Sequence, residues 1–112
     1  MKKFVVLYHS PPEAMEFMAT ATPEQKAEGM KPWMDWYAEC GDAVTDMGSP
    51  FGQGMEFKKD SSNDCSGAAT GYTMIQAESM DGARKYVENH PHLSWMDGCS
   101  LQMFEAVEMG PG

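Results

Sequence analysis

Basic residues are scarce in this chain of 112 residues. Eight Lys and Arg stand against 17 Asp and Glu, a formal charge of −9. Phosphate backbones are held by clustered cations, so no nucleic acid is expected as a partner. Long apolar runs are missing too: nothing approaches the roughly 20 residues that cross a bilayer, and no membrane association is expected. The opening MKKFVVLYHS joins a basic pair to a short apolar run. That run falls short of the roughly 7–15 residues of a signal peptide, and no cleavage site follows. It reads as a first strand. Cysteines number only three, Cys40, Cys65 and Cys99, and none lies close to another. An odd, dispersed set points to free thiols in a reducing cytoplasm. There is no CxxC, HExxH, GxGxxG, P-loop or serine nucleophile elbow, so no cofactor is expected.

What is present suffices for one folded domain spanning 1–112. The chain is 42% hydrophobic and 11% aromatic, enough to build a core. The twelve methionines include Met15/Met18 and Met30/Met34 at helical spacing. Packing is the plain reading of these pairs, and a plastic apolar pocket the sharper one.

The stretch GYTMIQAESMDGARKYVENHP, Gly71 to Pro91, says most about organisation. Tyr72 to Ile75 is a short buried strand. Ser79 can cap the helix that follows, with Met80, Ala83 and Val87 on its packed face. Pro91 stops that helix, which puts His90 at its C-terminal end and predicts a mild upward push on the imidazole pKa from the dipole. Elsewhere, Lys3–His9 forms strand one, and Glu13–Ala19 a short helical turn. Thr22-Pro23-Glu24-Gln25 carries the spacing of a capping box and opens a helix to about Cys40. Ala27, Met30, Met34 and Tyr37 make its apolar stripe, widened by Trp33, Trp36 and Cys40, and Pro32 predicts a bend or break between Glu28 and Trp33. Ala43–Met47 reads as strand two and Cys99–Val107 as the last strand, with Gly110-Pro111-Gly112 as a tail. The glycine- and serine-rich segment at about 52–70 reads as a flexible loop, mobile near Asp60–Asp64, with a strand fragment at Gly54–Lys58.

The order β-α-β, loop, β-α-β is the split arrangement of ferredoxin-like α+β domains with an antiparallel sheet. Right-handed crossovers place both helical segments on one sheet face. Thr73, Ile75, Ala77, Leu101, Met103 and Val107 suit that covered side. Tyr72, Met74, Gln76, Ser100, Gln102 and Phe104 fall on the open one, which a second subunit is expected to bury around a cavity.

The pieces LYHS, PWMDWYAECGDA, VTDMGSPFG, the Gly71–Leu93 unit and CSLQMFEAVEMGPG together resemble the YCII-related family. The resemblance implies the dimeric α+β barrel, a homodimer, and a cleft for a small molecule. Some relatives look like dechlorinating or ring-processing enzymes that use a His-Asp pair. That family's usual histidine early in the first long helix has no counterpart between Thr22 and Cys40, so a barrel and cleft are implied without a catalytic dyad.

Read from the residues themselves, His90 is the leading proton-transfer group, with Asp46 or His9 as partner, because histidine titrates near neutral pH and a carboxylate can orient it. The plainer reading makes His90 a helix C-cap. Asp46 either faces a cleft or ties the turn Gly48-Ser49-Pro50. Tyr8, Trp36, Phe51, Gln76, His92 and Gln102 are candidate ligand-binding residues. His90, His92 and His9 with a carboxylate give only a weak metal spacing, and no metal site is assigned. Two functions follow: cofactor-free acid–base chemistry of isomerase, lyase or dehalogenase type on a small metabolite, or a non-catalytic binding or interaction module.

Overall fold

Three of the seven prolines set the architecture by opening helices rather than closing them. A computed structural model describes residues 1–110, so Pro111 and Gly112 of the expected tail lie outside the described residues. Strand β1 (Lys2–His9) is followed by α1 (Pro12–Thr20), α2 (Pro23–Cys40) and a single 3-10 turn at Gly41–Ala43. Then come β2 (Val44–Asp46), β3 (Met55–Lys58), β4 (Ser61–Asp64) and β5 (Gly71–Ala77). The chain closes with α3 (Met80–Val87), α4 (Pro91–Trp95) and β6 (Ser100–Ala106). Pro12, Pro23 and Pro91 each occupy a first helical position, where the missing N–H costs nothing. At Thr22 the full capping box forms, with Thr22 and Gln25 exchanging hydrogen bonds.

The fold is mixed α+β. Its main sheet has the order β2-β5-β1-β6, and every pairing in it is antiparallel. Helices cover one face. There Phe4, Val6, Tyr8, Thr73, Ile75 and Ala77 are buried against Trp36, Ala83 and Val87. Leu101 and Met103 pack on this core from β6, but Val107 lies beyond the strand and is exposed, contrary to its expected place. On the other face, register aligns Val5 with Met74 and Phe104, and Leu7 with Tyr72 and Gln102. Among the described residues the helices that pack on the sheet lie on the opposite face. The uncovered face is the open side the alternation predicted.

Four expectations change. Pro32 does not break α2, which runs unbroken from Pro23 to Cys40. The α2 stripe is also turned. Met30, Met34 and Tyr37 face solvent, while Trp33, Trp36 and Cys40 meet the sheet. Two tryptophans bury more area than thioethers, and the Trp36 indole N–H gains a 2.7 Å bond to the Tyr86 carbonyl. Met15 and Met18 are likewise about half exposed, so neither methionine pair packs in the chain's own core. Finally, the 52–70 segment is not a plain loop: β3 and β4 pair into an antiparallel hairpin across Asp60, and every residue of both strands is exposed.

The molecule is flat, measuring 47 × 45 × 21 Å. Its radius of gyration is 15.6 Å, against about 13 Å for a compact chain of this length. Its accessible surface is 7964 Å², against about 6,100 Å² for a compact monomer of this mass. No helix is long and apolar enough to cross a membrane among the described residues.

Candidate functional site

The candidate residues fall into two groups on opposite sides of the sheet. Tyr8, Trp36, His90 and His92 gather on the helix side. His9, Asp46, Phe51, Gln76 and Gln102 lie on or beside the open side. The expected pairing of His90 with Asp46 does not form.

His90 is not at the end of α3. That helix stops at Val87, and His90 instead caps the start of α4, where its Nδ1 accepts the backbone N–H of His92 at 3.0 Å. Pro91 marks a helix beginning here, as Pro23 does after Thr22. The repeated pattern of cap then proline was the available signal. The ring sits 4.2 Å from Trp36 and 4.5 Å from Trp33, centroid to centroid, and is fully buried.

Because Nδ1 accepts, the proton of the neutral ring must sit on Nε2. Nε2 lies 2.9 Å from the Tyr8 hydroxyl and so donates to it. The hydroxyl then donates to Thr73 Oγ1 at 2.8 Å, and Thr73 donates to the Met47 carbonyl at 2.9 Å. Every member of this chain points one way, and no buried polar side-chain atom is left without a partner among the described residues. Burial, with His92 nearby, pushes the His90 pKa down to about 3, and burial pushes that of Tyr8 up to about 12. The upward push expected on His90 is therefore reversed, because the helix end that supplied it is absent and desolvation dominates. His92 is also buried; its Nε2 donates to the His9 carbonyl at 2.9 Å. This cluster serves as a hydrogen-bonded polar core. Thr73, expected only as a core-facing position, is the member whose polar role sequence reasoning missed. A lone hydroxyl among the core-facing positions of β5 was the clue to Thr73, since a buried hydroxyl must find a partner.

The open side is chemically freer. His9 closes β1, and its Nδ1 donates to the Ala68 carbonyl at 2.7 Å. Its Nε2 meets the Gln102 side-chain oxygen at 2.8 Å. With Nδ1 committed to a carbonyl, Nε2 is the nitrogen left to meet Gln102. Rotating the Gln102 amide would present its NH2 to a neutral ring instead. Either orientation of the Gln102 amide keeps both His9 ring nitrogens hydrogen-bonded. Asp46 Oδ1 accepts the Gly48 N–H, and Oδ2 accepts the Tyr72 hydroxyl at 3.0 Å. That contact pushes the Tyr72 pKa up, since the carboxylate resists a second negative charge beside it. Gly48 has φ +80°, and a Cβ there would lie 1.7 Å from the Tyr72 carbonyl oxygen, so only glycine allows this turn. Phe51 stacks on Tyr72 with centroids 5.7 Å apart and rings 19° from parallel. Gln76, farther along the sheet, donates to the Asp42 carbonyl.

Beside this group, a groove of about 340 Å³ runs along the hairpin root between Phe51–Gly54 and Cys65–Ala69. It shares Phe51 and Ala68 with the His9 and Tyr72 contacts. Its size falls within the roughly 300–1,000 Å³ of small-molecule sites. No three His, Cys, Asp or Glu side chains converge to hold a metal ion among the described residues. All three cysteines are free and partly buried; burial pushes the Cys40 and Cys99 pKa values up, away from nucleophilic thiolates.

No family model, curated protein or solved structure matches this chain.

Proposed function

We propose that this chain binds a small aromatic or carbonyl-bearing metabolite at the open sheet face, in a homodimer of the dimeric α+β barrel type. The strand order supports ferredoxin-like protomers, and the barrel follows if two uncovered faces meet, as in the YCII-related proteins the sequence resembles. The free thiols suit a cytoplasmic setting. In this reading proton transfer belongs to His9, not His90. Asp46 orients the Tyr72 hydroxyl, Phe51 stacks on a flat ligand, and Gln102 holds His9 Nε2. The chemistry is acid–base and needs no cofactor.

One observation carries the proposal: the His9–Gln102 pair stands on an uncovered face beside a groove, with one ring nitrogen on the Ala68 carbonyl and the other turned to a side chain that can rotate. A non-catalytic binding module is the second reading, and it rests on the commitment of both ring nitrogens of His90 and both oxygens of Asp46 to structural bonds.

Backbone amide NMR with benzoate, catechol and acetophenone as probes tests the site. Shifts clustered on His9, Ala68, Tyr72 and Gln102, weakened in His9→Asn, are expected. If no probe moves these amides at millimolar concentration, the site is not a small-molecule cleft. Retained binding in His9→Asn leaves the module reading and removes the proton-transfer role.

A further inference from the structure

The hairpin formed by β3 and β4 is a sheet of its own, paired with no other strand among the described residues. Two strands of four residues, all exposed, pair only with each other. An isolated two-stranded hairpin is at best marginally stable in water. Phe57 is 76% exposed, and Met55 lies two residues away on the same face of the strand. Their cross-strand partners are Ser62 and Asp64, which offer no apolar cover. The root, by contrast, is firmly held. Phe51 N–H bonds the Thr70 carbonyl, Cys65 N–H bonds the Gly54 carbonyl, and Gly54 N–H bonds the Ser66 hydroxyl. The Phe51 ring at that root lies on Tyr72, so the arm springs from beside the open sheet face.

The surface arithmetic points the same way. The chain exposes about 1,800 Å² more than a compact monomer of its mass would. Obligate dimers commonly bury about 1,000–2,500 Å² per subunit. We propose that the hairpin is an exchanged arm, which reaches a second copy of this chain and places Phe57 and Met55 against it, so that each ligand cleft is completed by the partner. The inference rests on the sheet-face dimer proposed above and adds to it a second, separable contact. The occupant is a second copy and not a foreign protein because the arm springs from beside the very face that the dimer covers.

The experiment is sedimentation equilibrium on the full chain and on two variants, Phe57→Asp in the arm and Phe104→Asp on the sheet face. Both residues are at least half exposed, so neither change should unfold the subunit, and circular dichroism checks this. The expected result is a wild-type dimer whose dissociation constant rises about tenfold or more in each variant. A dimer weakened by Phe104→Asp but not by Phe57→Asp overturns the arm and leaves the sheet-face dimer standing. One weakened by Phe57→Asp alone keeps the arm and overturns the sheet-face contact. A wild-type monomer at all concentrations overturns both. As a second readout, a photo-crosslinking benzoylphenylalanine at position 57, in mixed light and heavy-isotope dimers, should give light–heavy crosslinked peptides. Crosslinks confined to one chain would refute the exchange.

Discussion

Replacing His90 by Asn should flatten the acid side of the stability curve. In the folded chain the ring is held neutral, with Nδ1 capping α4, Nε2 engaged by Tyr8, and its pKa pushed down from 6.5 to about 3. Above pH 6.5 both folded and unfolded states keep the ring neutral, and His90 adds no pH dependence. Below 6.5 the unfolded chain takes up a proton that the folded chain refuses, so stability falls as pH falls. The loss is about 1.4 kcal/mol per pH unit. By pH 5 it reaches about 2 kcal/mol relative to pH 8, and it continues toward about pH 3. Asn at position 90 can still cap the helix, while lacking a titrating group. It costs a fixed penalty at every pH through the lost bond to Tyr8 and the space left beside Trp33 and Trp36. Guanidinium unfolding followed by tryptophan fluorescence, at one protein concentration and several pH values from 8 to 5, measures the difference. The wild-type and variant curves should converge by about 2 kcal/mol as pH drops. Parallel curves across that window would refute a buried neutral imidazole at this position.

Other outcomes follow from the same geometry. Thr73→Val should destabilise by about 1–3 kcal/mol, because the Tyr8 hydroxyl loses its buried acceptor, and chemical denaturation reads this directly. Gly48→Ala should cost about 3 kcal/mol or more, through both the left-handed φ and the collision with the Tyr72 carbonyl; a melting temperature within a degree of wild type would contradict it. Pro32→Ala should stabilise the chain by about 1–3 kcal/mol, since an exposed interior helix position regains a good helix former and an N–H donor. Thr22→Ala should cost about 1 kcal/mol by removing the capping box, a change visible in the thermal midpoint.

Strands and faces were legible because alternation is local. Thr73, Ile75 and Ala77 against Tyr72, Met74 and Gln76 divide β5 as its register requires, and Ser79 caps α3 where expected. The helical segments were harder. In α2 the choice between the methionine stripe and the tryptophan arc depended on which would meet the sheet, a matter of area and of one distant carbonyl on Tyr86. The site was least legible. His90 and Tyr8 are 82 positions apart, and although cap then proline marks a helix start, no local pattern says that this cap also reaches β1. His9 was visible as a candidate, but its partners Ala68 and Gln102 come from the hairpin return and the last strand.

The place of β1 in the sheet has a consequence for how the protein is made. This apolar strand precedes the other elements described, yet both of its neighbours, β5 and β6, lie far along the sequence. Roughly sixty residues separate its end from the start of β5, and at ribosomal speeds their synthesis takes several seconds. Throughout that interval Phe4, Val6 and Tyr8 have no strand to pair with and no core to enter. The main sheet can therefore close only once β6 has been made.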